Sequence, residues 1–228
     1  MVDPLRLKIR PDKKEMYLKT ILLGDEGVGK TTLRRRRMGL SIGTSMQDEA
    51  KYVKTLGVDA SAKVYKVKDR KIVVLVYDPS GSKLFRDYVR TVYKNTEGVI
   101  LMFDVTNKKS FDDIFERIDD YLKHGGRKDP VVYLVGNKID LKEKRVIPRE
   151  KGEELAKELS SYLGYEVPYR ETSALTGENV AEMMKAHAID LSKRILKKLL
   201  RFFIGGLLGS PLDSRSLVSR YRSFLRPL

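Results

Sequence analysis

Short apolar runs alternate with longer stretches of helical periodicity along most of this chain of 228 residues. The apolar runs are rich in Val, Ile, Leu and Tyr, a composition typical of buried strands. Six such strand candidates lie at residues 16–23, 62–68, 71–77, 98–104, 131–136 and 167–170. Lys68, Asp69 and Arg70 separate the second candidate from the third and predict a hairpin turn.

Five other stretches are helix candidates that alternate with the strand candidates. They lie at residues 30–38, 83–95, 111–124, 149–162 and 179–201. Ser110 is the predicted N-cap of the third helix, and Gly125 and Gly126 are expected to end it. The alternation predicts an α/β fold with a mostly parallel six-stranded sheet and helices on both faces. Ligands of such sheets bind at the carboxyl ends of the strands.

The pattern also suggests how the chain is divided. Residues 1–15 are predicted to be an N-terminal extension, residues 16–201 a single domain, and residues 202–228 a basic amphipathic tail. Within the domain, residues 39–54 have no clear period. They predict a long loop, and long loops in compact domains are usually functional or disordered.

A glycine-rich motif follows the first strand candidate. Residues 24–31 read Gly-Asp-Glu-Gly-Val-Gly-Lys-Thr, which satisfies the pattern Gly-x-x-x-x-Gly-Lys-Ser/Thr. The motif predicts a loop whose backbone N–H groups bind the phosphates of a nucleoside triphosphate, with Lys30 at the β and γ phosphates and Thr31 on Mg²⁺. An ordinary turn, the alternative, would not need Lys and Thr at its end. The candidate phosphate-binding residues are Asp25, Glu26, Gly27, Val28, Gly29, Lys30, Thr31 and Thr32.

Two further segments point to the metal and the γ-phosphate. Asp78 follows the third strand candidate, and Gly81 stands three residues later. A carboxylate there can hold Mg²⁺ through water, and the N–H of the glycine can approach a γ-phosphate. Thr55, at the end of the long loop, could add a second hydroxyl ligand for Mg²⁺ when a γ-phosphate draws the loop in. The loop would then be an order–disorder switch.

Two segments after the last strand candidates point to the base. Asn137, Lys138 and Asp140 follow the fifth candidate in the pattern Asn-Lys-x-Asp. The Asp140 carboxylate can accept two hydrogen bonds from the N1–H and amino group of guanine, whereas adenine has no matching donors. Ser173, Ala174 and Leu175 follow the sixth candidate, and their backbone N–H groups could reach the guanine O6. Taken alone, this last segment reads as a simple helix entry.

These ordered motifs resemble those of the small GTPases of the Ras superfamily, and most closely those of the Rab branch. The matching segments are residues 24–31, 55–59, 78–81, 103–107, 110–111, 137–140, 171–174 and 176–180, and the resemblance covers roughly residues 16–201. It implies a G domain of the P-loop NTPase class that binds GTP and GDP with Mg²⁺ and hydrolyses GTP. It also implies effector, exchange and GTPase-activating proteins as partners.

The resemblance carries particular roles to particular residues. It places Lys30, Thr31, Thr55, Asp78 and Gly81 at the phosphates and Mg²⁺, and Asn137, Lys138, Asp140, Ser173 and Ala174 at the base. The metal ligands would be Thr31, Thr55 and Asp78, and the catalytic step would involve Lys30, Ser82, Gly81 and Thr55.

The chain departs from the family at several of these positions. Ser82 stands where the family has the glutamine that orients the attacking water, so we expect slow intrinsic hydrolysis. Glu26 stands at a loop position that the family usually gives to Gly or Ser, next to where an activating arginine would insert, and it could repel the γ-phosphate, pair with that arginine or point to solvent. Tyr52 is an insecure counterpart of the aromatic residue near the base. Residues 34–37 are four arginines, which read either as a basic patch for an acidic partner or as solvated and packing side chains.

Composition narrows the remaining possibilities. Hydrophobic residues make up 41% of the chain and charged residues 34%, as in a globular protein. The absence of cysteine excludes disulfides, thiol catalysis and a prenyl anchor from this sequence and fits a cytoplasmic protein. No apolar run approaches the ~20 residues of a membrane span.

The charge of the chain is concentrated at its end. The net charge is +15, and residues 193–228 carry nine basic side chains against one Asp, a net +8. Basic and apolar residues are interleaved there, as in a helix on an anionic membrane surface. A partner-binding helix and a tail packed on the domain are the alternatives.

The function that we expect is a GTP/GDP switch that regulates an effector, with the protein cytoplasmic or peripheral on a membrane. A nucleotide-bound interaction module that does not hydrolyse GTP is the alternative. A GTPase acting on RNA or ribosomes is less favoured, because no RNA-binding module accompanies the basic tail, so nucleic acid is not an expected partner.

Overall fold

One twisted sheet runs through the domain in this computed structural model, which describes residues 9–10, 14–39, 58–67, 69–79 and 86–207. Side chains are described for residues 14–39, 58–67, 69–79 and 87–198. In this part of the chain the strands are β1 (Ile9–Arg10), β2 (Glu15–Leu23), β3 (Val58–Val67), β4 (Arg70–Pro79), β5 (Gly98–Asp104), β6 (Val131–Asn137) and β7 (Tyr169–Thr172).

The strand order is β3-β4-β2-β5-β6-β7, and the pairs from β4 to β7 are all parallel. β3 pairs antiparallel with β4 through the predicted hairpin, with Val67 opposite Arg70. The expected α/β sheet of six strands is therefore confirmed. β1 adds a short antiparallel pair at the beginning of β2, where Ile9 lies opposite Met16.

Helices cover both faces of the sheet, as the alternation predicts. In the described residues they are α1 (Lys30–Met38), α2 (Arg86–Arg90), α3 (Lys108–Asp112), α4 (Ile114–Lys123), α5 (Arg149–Leu163) and α6 (Val180–Leu207), with a 3₁₀ turn at Lys142–Lys144. α1 and α6 pack on one face of the sheet, and α2, α4 and α5 pack on the other. Alternate residues of β5 serve the two cores, because side chains alternate across a strand: Ile100 faces α6, whereas Leu101 faces α4.

The helix predicted at residues 111–124 is two helices, so that prediction was wrong at its start. Asn107, not Ser110, is the N-cap of α3, and its side chain accepts a hydrogen bond from the Ser110 N–H at 3.4 Å. The Ser110 hydroxyl accepts from the backbone N–H of Asp104 at 3.0 Å and donates to the Asn107 carbonyl at 2.8 Å. The hydrogen bond between Ser110 and the end of β5 therefore places the start of the helix at Lys108, three residues before the predicted start. Asp113 separates α3 from α4.

The helix predicted at residues 83–95 is also shorter, since α2 ends at Arg90 and a series of turns follows. The side chain of Lys19 on β2 donates to the carbonyls of Val92 at 2.5 Å and Lys94 at 3.1 Å. A distant ammonium therefore satisfies carbonyls that a continued helix would bond internally. Residues 83–85 lie outside the described residues.

The last helix is longer than predicted. α6 has 28 residues and continues through residue 201 to Leu207, so no helix end marks the proposed boundary between domain and tail. Residues 208–228 lie outside the described residues. None of the described helices has the length and apolar character that crossing a membrane would need.

Candidate functional site

The loop between β2 and α1 is folded around the ammonium group of its own lysine. Lys30 Nζ donates to the carbonyl of Gly24 at 2.8 Å and to that of Asp25 at 2.7 Å. Burial lowers the pKa of Lys30 to about 8, against the opposing effect of the nearby Asp78 charge. The predicted phosphate-binding lysine is thus held at the carboxyl end of the sheet by carbonyls of its own loop.

Two glycines of this loop are required by close approach as well as by backbone conformation. Gly24 has φ +147°, and a Cβ there would lie 2.2 Å from the Met102 carbonyl oxygen on β5. Gly29 has φ +101°, and a Cβ there would lie 2.3 Å from Asn137 Nδ2. Larger residues at either position would push the loop off the sheet.

Asn137, at the end of β6, joins the glycine-rich loop and the loop after β7, which lie far from it in the sequence. Its Nδ2 donates to the Val28 carbonyl at 2.8 Å, and its Oδ1 accepts from the Ala174 N–H at 3.0 Å. The Thr172 hydroxyl donates to the same Oδ1 at 3.1 Å. The Asn137 side chain is 1% exposed, so this network is sealed from water. The glycine-rich loop and the loop after β7 therefore have a fixed relative position.

Asp140 lies beside this network and is oriented by the predicted base loop. The Ser173 hydroxyl donates to Asp140 Oδ1 at 2.6 Å, and Ser173 Oγ accepts from the Thr176 N–H at 3.0 Å. Lys138 has φ +70°, and its ammonium lies 2.7 Å from Asp104 Oδ2 at the end of β5. Ala174 is buried, whereas Leu175 is half exposed. The structure thus bonds Asn137 to Ala174 and Asp140 to Ser173, which are four of the predicted base-binding residues.

The predicted metal carboxylate is buried at the end of β4. Asp78 is fully buried, and its Oδ1 has no hydrogen-bond partner among the described residues. Burial raises the pKa of Asp78, while a hydrogen bond with the Thr31 side chain and the charges of Lys30 and Arg34 act in the opposite direction. A free carboxylate oxygen beside a threonine hydroxyl is the kind of hard oxygen pair that Mg²⁺ accepts. The residues present therefore fit this ion.

Some of the predicted site residues lie outside the described residues. These are Thr55, Gly81, Ser82 and Tyr52, together with residues 40–54 of the long loop. Their roles stay predictions from the sequence. Glu26, in the described loop, is exposed at the protein surface.

The four arginines of α1 are used mainly within the molecule. Arg34 is buried between two carboxylates, and Arg36 donates to the carbonyls of Ala174 and Leu175. Arg37 donates to the Tyr65 hydroxyl at 3.0 Å and lies over the Tyr65 ring. Arg35 points to solvent. The packing interpretation of residues 34–37 is therefore the better one, with Arg36 joining α1 to the base loop.

Sequence reasoning missed a second support of the glycine-rich loop. Arg117 on α4 donates to Asp25 Oδ1 from both Nη2, at 2.6 Å, and Nε, at 3.0 Å. This pair holds the loop at Asp25, whereas Asn137 holds it at Val28. The two residues are 92 positions apart, and nothing in the pattern around Arg117 distinguishes it from an exposed helical arginine.

Comparisons with known proteins agree with this geometry. The model of the Ras family matches residues 19–193. The chain is 37% identical over 191 residues to the human Ras-related protein Rab-26, covering 82% of this chain and 68% of that protein. It is 31% identical over 212 residues to human Rab-8B, covering 93% and 96%, and 31% identical over 185 residues to Rab-10 of Caenorhabditis elegans, covering 81% and 84%.

The family match spans most of the chain and includes the glycine-rich loop, Asp78, Asn137 and the base loop. Several relatives exceed 30% identity over more than two thirds of the chain. The chain therefore belongs to the Ras family, close to the Rab proteins, and is a small GTPase that binds GTP and hydrolyses it.

Proposed function

We propose that this GTPase is a regulatory switch in which a guanine nucleotide lies across the glycine-rich loop, Asp140 and the loop at residues 173–175. The Asn137 network is the observation that supports this placement most directly. It fixes the phosphate end and the base end of the site at one separation, through bonds from one buried side chain to both loops. A rigid separation of this kind favours a ligand with a base at one end and phosphates at the other.

At the phosphate end, Lys30 would exchange its contacts with loop carbonyls for contacts with the β and γ phosphates. Thr31 and Asp78, together with Thr55, would hold Mg²⁺, which when bound supplies charge neutralisation to the phosphoryl group. The backbone N–H groups of residues 25–32 would contact the phosphates at the N-terminus of α1. The protein's contribution to hydrolysis is then positioning and electrostatic stabilisation.

At the base end, Asp140 would accept from the N1–H and amino group of guanine. The Ser173 hydroxyl donates to the Asp140 carboxylate and thereby orients it for the base. Ala174 and Leu175 would present backbone N–H groups to the guanine O6, and the Ala174 N–H also donates to Asn137 Oδ1. Lys138 would remain tied to Asp104 and flank the base.

The catalytic step is expected to be slow because Ser82 stands in the position of the water-orienting glutamine. Replacing Ser82 with Gln is expected to raise the single-turnover rate of GTP hydrolysis about tenfold or more, since orienting the attacking water lowers the barrier. The measurement is phosphate release from purified protein loaded with GTP. Ser82→Ala, the matched control, should leave the rate unchanged. A wild-type rate that Ser82→Gln does not increase would contradict the proposal.

We further propose that the cationic end of the chain places this switch at an anionic membrane surface. α6 continues to Leu207 in one helix, and the exposed Lys193 and Lys197 project from it. In the sequence, basic and apolar residues continue beyond the described side chains to residue 228. Long-range attraction between such a segment and acidic lipids is worth about 1 kcal/mol per basic residue near the surface.

Charge reversal tests this placement with the full chain. The double variant Lys197→Glu/Arg201→Glu is expected to reduce co-sedimentation with vesicles containing phosphatidylserine by about tenfold or more, because two attractive charges become repulsive. The matched control is Lys157→Glu/Lys185→Glu, which reverses two exposed charges elsewhere. Equal binding by the two variants would exclude the electrostatic mechanism. Binding of the wild type to neutral vesicles but not to acidic ones would exclude it as well.

A further inference from the structure

Arg34 lies between the metal carboxylate and a second carboxylate on the neighbouring strand. Its Nε is 3.4 Å from Asp78 Oδ2, and its Nη2 is 2.8 Å from Asp59 Oδ2. The Arg34 side chain is 8% exposed, that of Asp78 is fully buried and that of Asp59 is half exposed. One guanidinium therefore connects the interior of the metal site with the protein surface.

The strand register explains why a cation is needed here. Asp59 on β3 lies directly opposite Asp78 on β4 in the antiparallel pair. Like charges directly opposite each other in a sheet are destabilising, and more so when one is buried. Arg34 neutralises both carboxylates from α1. Among the described residues, Arg34 is the cation that forms an ion pair with Asp78.

The same position makes Arg34 unfavourable for a metal ion. A cation bound through Asp78 would meet the guanidinium charge on the other oxygen of the same carboxylate, in a buried site where screening is weak. Asp59 opposes this effect, since it draws the guanidinium toward the surface through the shorter of the two contacts. The affinity of the site for Mg²⁺ thus depends on how Arg34 divides its charge between two acids.

We propose that Arg34 is a positioning residue that competes with Mg²⁺ for Asp78, and that the Asp59–Arg34 ion pair tunes the Mg²⁺ affinity of this GTPase. The proposal rests on the function proposed above, since it assumes that Asp78 serves Mg²⁺. It gives the buried arginine of α1 a role that neither the motifs nor the family comparisons assign.

The experiment measures Mg²⁺ affinity apart from hydrolysis. The full-length protein is loaded with fluorescent GDP, and the rate of nucleotide release is followed as free Mg²⁺ is lowered with a chelator. The midpoint is the free Mg²⁺ concentration at which the rate of nucleotide release is half-maximal. Mn²⁺ binding, measured by electron paramagnetic resonance, reports metal affinity directly as a second readout. Arg34→Met, which keeps an apolar stem in the buried position, is expected to lower the midpoint about tenfold. Arg35→Met, on the same helix but exposed, should leave it unchanged.

Asp59 supplies the second half of the test. Asp59→Asn is expected to raise the midpoint several-fold, because the Arg34 guanidinium then has Asp78 as its one remaining carboxylate partner of the two. In the Arg34→Met background, the same change should have a much smaller effect. This dependence on Arg34 separates the proposal from a general loss of negative charge near the metal.

Several results would overturn the inference. A higher or unchanged midpoint in Arg34→Met would show that Arg34 merely supports the Asp78 side chain. An unchanged midpoint in Asp59→Asn would do the same, and this half-exposed position remains usable if Arg34→Met does not fold. Arg34→Lys, which keeps the charge, should stay near the wild-type midpoint. Failure of the wild type to retain labelled GDP at any Mg²⁺ concentration would instead count against the proposed nucleotide site.

Discussion

Replacing Asp140 with Asn is expected to convert this protein from guanine to xanthine selectivity. The carboxylate of Asp140 can accept from both the N1–H and the amino group of guanine, whereas Asn can accept one bond and donate another. Xanthine has a carbonyl in place of the amino group and therefore matches Asn. Ser173 can still donate to the side-chain oxygen at position 140, so the orientation of the side chain is kept.

The expected loss of GDP affinity follows from the bonds removed. Hydrogen bonds to a charged group contribute about 1.5–3 kcal/mol each, and the amino group of guanine would now face a donor. We expect GDP to bind roughly 10²- to 10⁴-fold more weakly and xanthosine diphosphate to become the preferred ligand. Competition of unlabelled nucleotides against fluorescent GDP or its xanthosine analogue measures both changes.

A matched control separates base recognition from a change in charge. Asp112→Asn makes the same substitution on α3, where the side chain is half exposed and paired with Lys108. It should leave the order of nucleotide affinities unchanged. If Asp140→Asn keeps its preference for GDP, Asp140 does not read the base, and the proposed orientation of the nucleotide in the site is wrong.

Acidification is expected to destabilise the protein through His187, which is buried in α6. His187 is fully buried, its Nε2 lies 3.3 Å from Thr20 Oγ1, and its Nδ1 has no partner among the described residues. Burial lowers the pKa of His187 to about 3, although the charge of Asp190 acts in the opposite direction. The folded protein therefore keeps a neutral imidazole at pH values where the unfolded chain has bound a proton.

The direction of the pH effect follows from that difference. Above pH ~6.5 the imidazole is neutral in both states, so His187 has no pH-dependent effect on the free energy of unfolding. Between pH ~6.5 and the folded-state pKa of about 3, the unfolded state alone binds the proton, and stability falls as the pH falls. The slope is about 1.4 kcal/mol per pH unit, or roughly 2–3 kcal/mol between pH 6.5 and pH 4.5.

Urea unfolding at several pH values checks this expectation. His187→Gln places an amide near the position of Nε2 and cannot titrate, so its stability should fall less steeply between pH 6.5 and 4.5. The chain has two histidines, and the other, His124, is 40% exposed at the end of α4. His124→Gln should retain the wild-type slope. Equal slopes for the wild type and His187→Gln would show that His187 is protonated in the folded state.

Much of the fold could be predicted from the sequence because the central elements carry strong local signals. The bounds of α1 at Lys30–Met38 and of β5 at Gly98–Asp104 agree with prediction, since a glycine-rich loop precedes α1, Thr96 and Glu97 precede β5, and β5 ends on Asp104. The hairpin between β3 and β4 is also confirmed. Elements whose ends depend on distant side chains were predicted poorly. α2 ends just before the turns in which Lys19 binds the carbonyls of Val92 and Lys94, and α3 begins at a cap that is bonded to β5.

The candidate site shows the same division. The sequence predicted Lys30, Thr31, Asp78, Asn137 and Asp140, because phosphate, metal and guanine each require particular groups at strand ends. It did not predict Arg117 as the partner of Asp25, nor Arg34 as the partner of Asp78, because arginine on a helix is usually solvated. These contacts join residues 92 and 44 positions apart.

The sequence by itself determined the family, the order of the motifs and the chemistry available at each strand end. Those properties depend on which residue types occur a few positions apart, and such local patterns can be read from the sequence without knowledge of the fold. The tertiary structure decided how the motifs act together: Asn137 joins two loops, and Arg34 lies between two acids. Such roles depend on which strands are neighbours and which side chains are sealed from water, and these are set only when the sheet and its helices pack.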